Sequence, residues 1–187
     1  MKVLHLLPIG EVPGEMLHHL GPAMAEAFRV PCEIIPSRLD PKFALHAERR
    51  QFHSSEILRH MQEYVRPDSW RVLGVTDVDL YIPILTFVFG EAQMGGPCAV
   101  ISAYRLKQEF YGLSGDNALL ADRLVKEAVH EVGHTLDLTH CEDYRCAMAP
   151  SHAVEWIDLK DKALCVACES KSSYSQFLAK GKETAFP

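Results

Sequence analysis

His130, Glu131, His134 and His140 supply imidazole nitrogens and a carboxylate at spacings that suit one metal ion. On a helix, His130 and His134 lie one turn apart on the same face, so both rings can reach the same point. Glu131 is then rotated by about 100°, which sets its carboxylate beside that point. There it can take a proton from an activated water, the division of labour of an H-E-x-x-H sequence. His140 stands beyond the reach of a continuing helix, so the chain must turn before it can add a third imidazole. In the pattern H-E-x-x-H-x-x-G-x-x-H a glycine makes that turn, and the fourth coordination position stays open for water. Here the glycine position carries Asp137. A left-handed backbone costs most residues roughly 1–2 kcal/mol, but Asp adopts it more readily because its side chain bonds locally. With zinc bound, Glu131 would accept a proton from the metal's water, and the hydroxide would attack a polarised carbonyl. The predicted chemistry is peptide-bond hydrolysis without a covalent enzyme intermediate.

Cys141, Cys146, Cys165 and Cys168 follow directly. Four thiolates make a closed tetrahedral zinc site with no place for substrate, so this second ion is predicted to be structural and to staple the segment after His140 to the C-terminal segment. A redox pair at Cys165 and Cys168 is the competing reading, and it leaves Cys141 and Cys146 unexplained. Because His140 and Cys141 are neighbours, the backbone must pass between two sites, and emptying the cysteine site should displace His140 and weaken the catalytic zinc. Cys32 and Cys98 stand alone in apolar, strand-like surroundings and are expected to be buried as small hydrophobes.

The elements that must position these groups are readable in outline. Residues 2–9 predict a strand, residues 15–28 a helix with Met16, Leu17, Leu20, Met24 and Phe28 at helical spacing, and residues 33–36 a second strand. Residues 37–54 read as a long loop or ragged hairpin. Ser54 or Ser55 is a candidate cap for a helix running to about Tyr64. Residues 71–81 read as one central strand rich in β-formers. Asp77 and Asp79 share a face near its end, fitting either a metal or substrate contact or, preferably, a solvated strand end. Residues 85–89 and 98–106 predict further strands, with a hairpin turn at Gly95-Gly96. Residues 117–137 form the longest helical pattern, with Asp116 or Ser114 as its cap. The tail from Glu169 is polar, with Tyr174 and Phe177 as docking points.

With 187 residues and 48% hydrophobic content, one domain, or one domain with a small annex, with a real core is expected. The expected division is residues 1–137 with the sheet and histidine helix, and 138–187 with the cysteine site. A balance of 19 basic to 25 acidic residues, without charge runs, argues against a nucleic-acid surface. The N-terminus does not read as a signal peptide, and no stretch approaches the roughly 20 apolar residues of a membrane helix. A soluble, cytoplasmic monomer without membrane contact is the expectation.

The string H-E-V-G-H-T-L-D-L-T-H-C, then Cys146-Ala147-Met148 and the closing Cys165-Val166-Ala167-Cys168, resembles the archaemetzincins, a branch of the metzincin clan of zinc peptidases. The resemblance extends upstream through Val75-Thr76-Asp77-Val78-Asp79-Leu80-Tyr81 and Phe89-Gly90-Glu91-Ala92-Gln93. It implies a catalytic zinc on His130, His134 and His140, Glu131 as base, a second zinc on the four cysteines, and Met148 as an apolar floor in a Met-turn under the histidines. The implied fold class is α/β (α+β), a metzincin-like zincin fold: a twisted mixed sheet, an antiparallel edge strand within residues 85–95, an active-site helix, and a small zinc-stapled C-terminal subdomain. A peptide or small protein would run antiparallel to the edge strand. Two other functions fit the residues: a zinc-stabilised peptide-binding module with little turnover, and a thiol redox protein using Cys165 and Cys168.

Overall fold

The computed structural model describes residues 1–171, so the docking points expected at Tyr174 and Phe177 lie outside the described residues. In chain order its strands and helices are β1 (Val3–Ile9), α1 (Gly14–Phe28), β2 (Cys32–Ile34), β3 (Leu45–His46), β4 (Gln51–His53), α2 (Ser54–Met61), β5 (Ser69–Thr76), β6 (Leu80–Tyr81), β7 (Gly90–Ala92), β8 (Cys98–Ser102), α3 (Asn117–His134), α4 (Val154–Leu159) and α5 (Val166–Lys171).

Five strands form one sheet in the order β2-β1-β5-β8-β7, in which all pairs are parallel except β7 with β8. The interior strands are nearly continuous apolar runs because helices cover both faces. Leu4, Leu6 and Leu73 pack on one side with Leu20 and Phe28 of α1 and Val125, Val129 and Val132 of α3. Leu7, Ile9, Val72 and Val100 pack on the other with Ile57 and Met61 of α2. The expected mixed sheet with an antiparallel edge strand inside residues 85–95 is therefore present.

Local details differ from expectation. The run predicted as one strand over residues 71–81 is two, β5 and β6, and β6 joins a separate three-stranded sheet with β3 and β4. The break falls at the two aspartates. Asp79 takes both nitrogens of a bidentate Arg105 at 2.6 and 2.7 Å, and Asp77 pairs with Lys107 at 2.5 Å. Only 11% of the Asp79 side chain is exposed, so neither a solvated strand end nor a metal contact describes it. Residues 85–89 are not a strand despite their β-forming composition; Val88 makes only an isolated bridge to Leu80. The strand predicted over residues 98–106 stops at Ser102, where Ala103 donates to the Thr76 carbonyl and the chain turns.

The expected serine cap on α2 is absent: the N-cap is His53, with no side-chain capping bond. The hydroxyls of Ser54 and Ser55 instead donate to the Glu91 carboxylate, the latter at 2.7 Å, and so clamp the short edge strand β7 to the start of α2. Asp116 does cap α3, accepting from the Leu119 N–H at 2.9 Å. Cys98 is fully buried, as expected, whereas Cys32 is only half-buried.

Candidate active site

Helix α3 ends at His134, three residues before the predicted limit. Its end is a Schellman turn: Asp137 donates to the His134 carbonyl at 3.1 Å and Leu138 to the Gly133 carbonyl at 3.2 Å. Asp137 occupies the left-handed position of that turn, with φ 64°. The residue that replaces glycine thus makes the required reversal. Arg71 supports it by donating to the carbonyl and hydroxyl of Thr135, both at 2.9 Å.

The reversal brings three imidazoles together. The His140 ring centroid lies 5.3 Å from that of His130 and 5.1 Å from that of His134, and one nitrogen from each ring falls within 4.8 Å of the others. Nδ1–H of His130 donates to the Ala147 carbonyl at 2.8 Å, and Nδ1–H of His134 to the Leu138 carbonyl at 2.7 Å. With the proton on Nδ1, each Nε2 carries a lone pair, and these two Nε2 atoms are 3.1 Å apart. Two acceptors facing each other at that distance repel unless a cation lies between them. Carbonyls that orient imidazoles in this way are the usual support of zinc-binding histidines. The donor set therefore fits a metal. Burial foremost, with the nearby Lys160 charge, holds His130 well below its ordinary pKa, and burial lowers His134 and His140 too. The shifts favour the neutral imidazole, the form that binds metal.

Met148 is completely buried, packed with Leu138, Cys146 and Cys168 against the end of α3. A Cβ at Gly133 would lie 2.3 Å from the Met148 sulfur, so the glycine inside the histidine motif is what lets the methionine approach the helix. Glu131 is set against the edge strand in the same manner. A Cβ at Gly90 would fall 2.6 Å from Glu131 Cγ and 2.7 Å from the Val100 carbonyl oxygen. We expect Gly90→Ala to displace the carboxylate and lower kcat by roughly 10²-fold while zinc content holds, a result that steady-state kinetics with metal analysis would check. Unchanged turnover would show that the contact does not position Glu131.

The cysteine set is also assembled. Sγ atoms of Cys141, Cys146, Cys165 and Cys168 all lie within 4.8 Å of one another, and all six cysteines of the chain are free. Backbone N–H groups of Met148 and Cys165 donate to Cys146 Sγ at 3.4 and 3.3 Å, and the Cys168 N–H foremost brings Cys165 down to about 7. Burial raises Cys146 and Cys168 instead, the direction that a metal bound to the sulfurs would reverse. The four-membered gathering leaves no isolated Cys165/Cys168 redox pair. Cys141 also donates its N–H to the Met148 carbonyl at 2.9 Å, so the loop under the histidines is shared by both sites.

The histidines open into a cleft of about 450 Å³ lined by residues 85–92, Met94, Glu127, Glu131 and residues 150–152. A larger cavity of about 680 Å³ between α1 and α3 holds none of these groups. Two charged residues of the site went unnoticed in the sequence. Glu127 and Lys160 are 4% and 3% exposed, and Lys160 Nζ lies 3.4 Å from both His130 Nδ1 and the Ala147 oxygen. Burial first, then Glu127, pushes the Glu131 carboxyl well above its ordinary range, with Lys160 opposing. Glu127 was legible as the residue one turn before Glu131 on the same face. Nothing near Lys160 in the sequence marks it.

A metal ligand set beside a buried carboxylate is equipped to hydrolyse a carbonyl compound, and the open sheet edge along the same cleft suits a polypeptide. The class so defined is the zinc-dependent peptidases. Residues 42–173 match the model of Peptidase family M54. The chain is similar to the archaemetzincin of Methanocaldococcus jannaschii, 43% identical over 88% of this chain and 89% of that one, and to that of Pyrococcus abyssi, 37% identical over 91% and 94%. Among solved structures it is similar to an archaemetzincin from Archaeoglobus fulgidus complexed with malonate, with TM-score 0.78, 36% identity and coverage of 91% and 99%. A zinc-dependent peptidase from Methanocorpusculum labreanum gives TM-score 0.81, 28% identity and coverage of 90% and 98%. The chain belongs to Peptidase family M54, the archaemetzincins, and is a zinc metallopeptidase.

Proposed function

We propose that His130, His134 and His140 hold the catalytic zinc, that Glu131 carries the proton, and that Cys141, Cys146, Cys165 and Cys168 hold a structural zinc. The reading is carried by the two Nε2 atoms that face each other at 3.1 Å with both Nδ1 protons committed to carbonyls. When bound, zinc polarises a carbonyl and acidifies water. The chain's own residues do the rest. Glu131 takes a proton from the attacking water. It then passes the proton to the departing amine. The edge strand β7 offers backbone groups to an extended peptide or small protein, which would pair antiparallel to it without its sequence being read.

The same reading makes the chain a single peptidase domain, with residues 1–137 carrying the sheet and histidine helix and 138–187 the Met-turn and cysteine site. It acts as a cytoplasmic monomer; six free thiols suit a reducing compartment. Among the described residues no helix is long and apolar enough to cross a membrane. Metal analysis tests the assignment: zinc should fall from two per chain to one in His140→Ala, with loss of peptide cleavage. An unchanged zinc content would remove His140 from the site.

A further inference from the structure

Among the described residues, four buried side-chain atoms have no hydrogen-bonding partner: His5 Nε2, Asp77 Oδ1, Glu127 Oε2 and Ser151 Oγ. Two of the residues, Glu127 and Ser151, line the cleft that holds the histidines. Glu127 is 4% exposed and forms no ion pair within 4 Å among the described residues. Lys160, a nearby buried cation whose charge acts on Glu127, makes no hydrogen bond to it and donates to the Ala147 carbonyl at 3.4 Å. No donor among the described residues reaches this oxygen, and a donor carried in by the substrate would satisfy it.

The charges lining the cleft say what kind of donor fits. Among the described residues three carboxylates line it, from Glu91, Glu127 and Glu131, and no lysine or arginine does. Glu91 is occupied by Ser54 and Ser55, and Glu131 is assigned to the water. That leaves Glu127, one helical turn from the base, with Ser151 as a second acceptor. Burial pushes its carboxyl above the ordinary range, the direction that a cation placed against it would reverse.

Resting on the peptidase reading above, we propose that Glu127, with the Ser151 hydroxyl, binds a positively charged nitrogen of the substrate close to the scissile bond. Glu127 is thereby a specificity-determining residue. The cation is an α-ammonium at the peptide N-terminus or the side chain of a lysine or arginine. Both present the same chemistry, a charged N–H donor.

The test uses the full-length, zinc-loaded protein. Fluorogenic peptides carry lysine or the uncharged isostere norleucine at each position around the cleaved bond, each with a free and an acetylated N-terminus. Wild type should favour the cationic member of a pair by about tenfold or more in kcat/KM, and Glu127→Gln should bring that ratio to about one. Loss of preference on acetylation assigns the α-ammonium; a lysine-over-norleucine ratio that survives acetylation assigns the side chain. A wild-type ratio near one, or a high ratio that persists in Glu127→Gln, overturns the proposal. The same peptides are titrated calorimetrically against Glu131→Gln. If wild type cleaves none of them yet Glu131→Gln binds the cationic members about tenfold tighter, the peptidase reading fails and the cation site stands. Equal binding of charged and neutral members overturns the cation site.

Discussion

Glu131→Gln should lower kcat and kcat/KM together by about 10²–10⁴-fold, with zinc still at two per chain. The glutamine keeps the size of the side chain, so it still fits against Gly90 and the Val100 carbonyl. What it loses is the ability to accept a proton from water and return it to the leaving amine. Glu131 is 5% exposed, so bulk buffer cannot easily take over the task. The histidine ligands keep their own supports on the Ala147 and Leu138 carbonyls, neither of which involves Glu131. Kinetics on any cleaved peptide, beside metal analysis, gives the answer. Equal turnover in variant and wild type would take Glu131 out of the chemistry, and absence of turnover in a zinc-replete wild type would favour a peptide-binding module.

The double variant Cys165→Ser, Cys168→Ser should lose both zinc ions and activity, although neither residue touches the cleft. The link runs through the loop between the sites. Cys141 adjoins His140 and donates its N–H to the Met148 carbonyl; Met148 in turn donates to Cys146 Sγ. Ala147, between them, accepts from His130. Unpinning the sulfurs therefore loosens one histidine through the adjacent peptide and another through its carbonyl. Structural zinc contributes on the order of 10–16 kcal/mol in zinc-finger peptides, so the described C-terminal segment, whose own core is only Leu138, Cys146, Met148 and Cys168, should also melt at a lower temperature. Metal analysis, thermal unfolding and peptide cleavage would check this. Full activity with one retained zinc would show that the sites are independent.

The histidine motif, the cysteine spacing and the main sheet were legible because each rests on local pattern. Two imidazoles four apart need only a helix, and an apolar run of β-formers needs only a sheet to enter. The misread elements were decided at long range. Leu85, Phe87 and Phe89 look like strand residues, yet they line the cleft in irregular backbone. Gly90, Glu91 and Ala92 are poor β-formers, yet they are the strand, because β8 supplies the partner and Ser54 and Ser55 hold Glu91. Strand preference measures fit to neighbours more than backbone liking. Asp77 and Asp79 were ambiguous until Arg105 and Lys107 were placed beside them; the matching spacing of two in both pairs was the available sign. Lys160 had none, since its role exists only once the chain has folded back on His130.

The shortness of β7 bears on which proteins could ever be cut. It has three residues and stands at the end of its sheet, so a chain pairing with it must be extended over only about 10 Å. A polypeptide already tied into its own helices and strands cannot present even that much without first opening. Selection would then act on the local unfolding equilibrium of the client protein: loosely held termini and unfolded chains would be degraded, and intact domains spared, before any side chain was inspected.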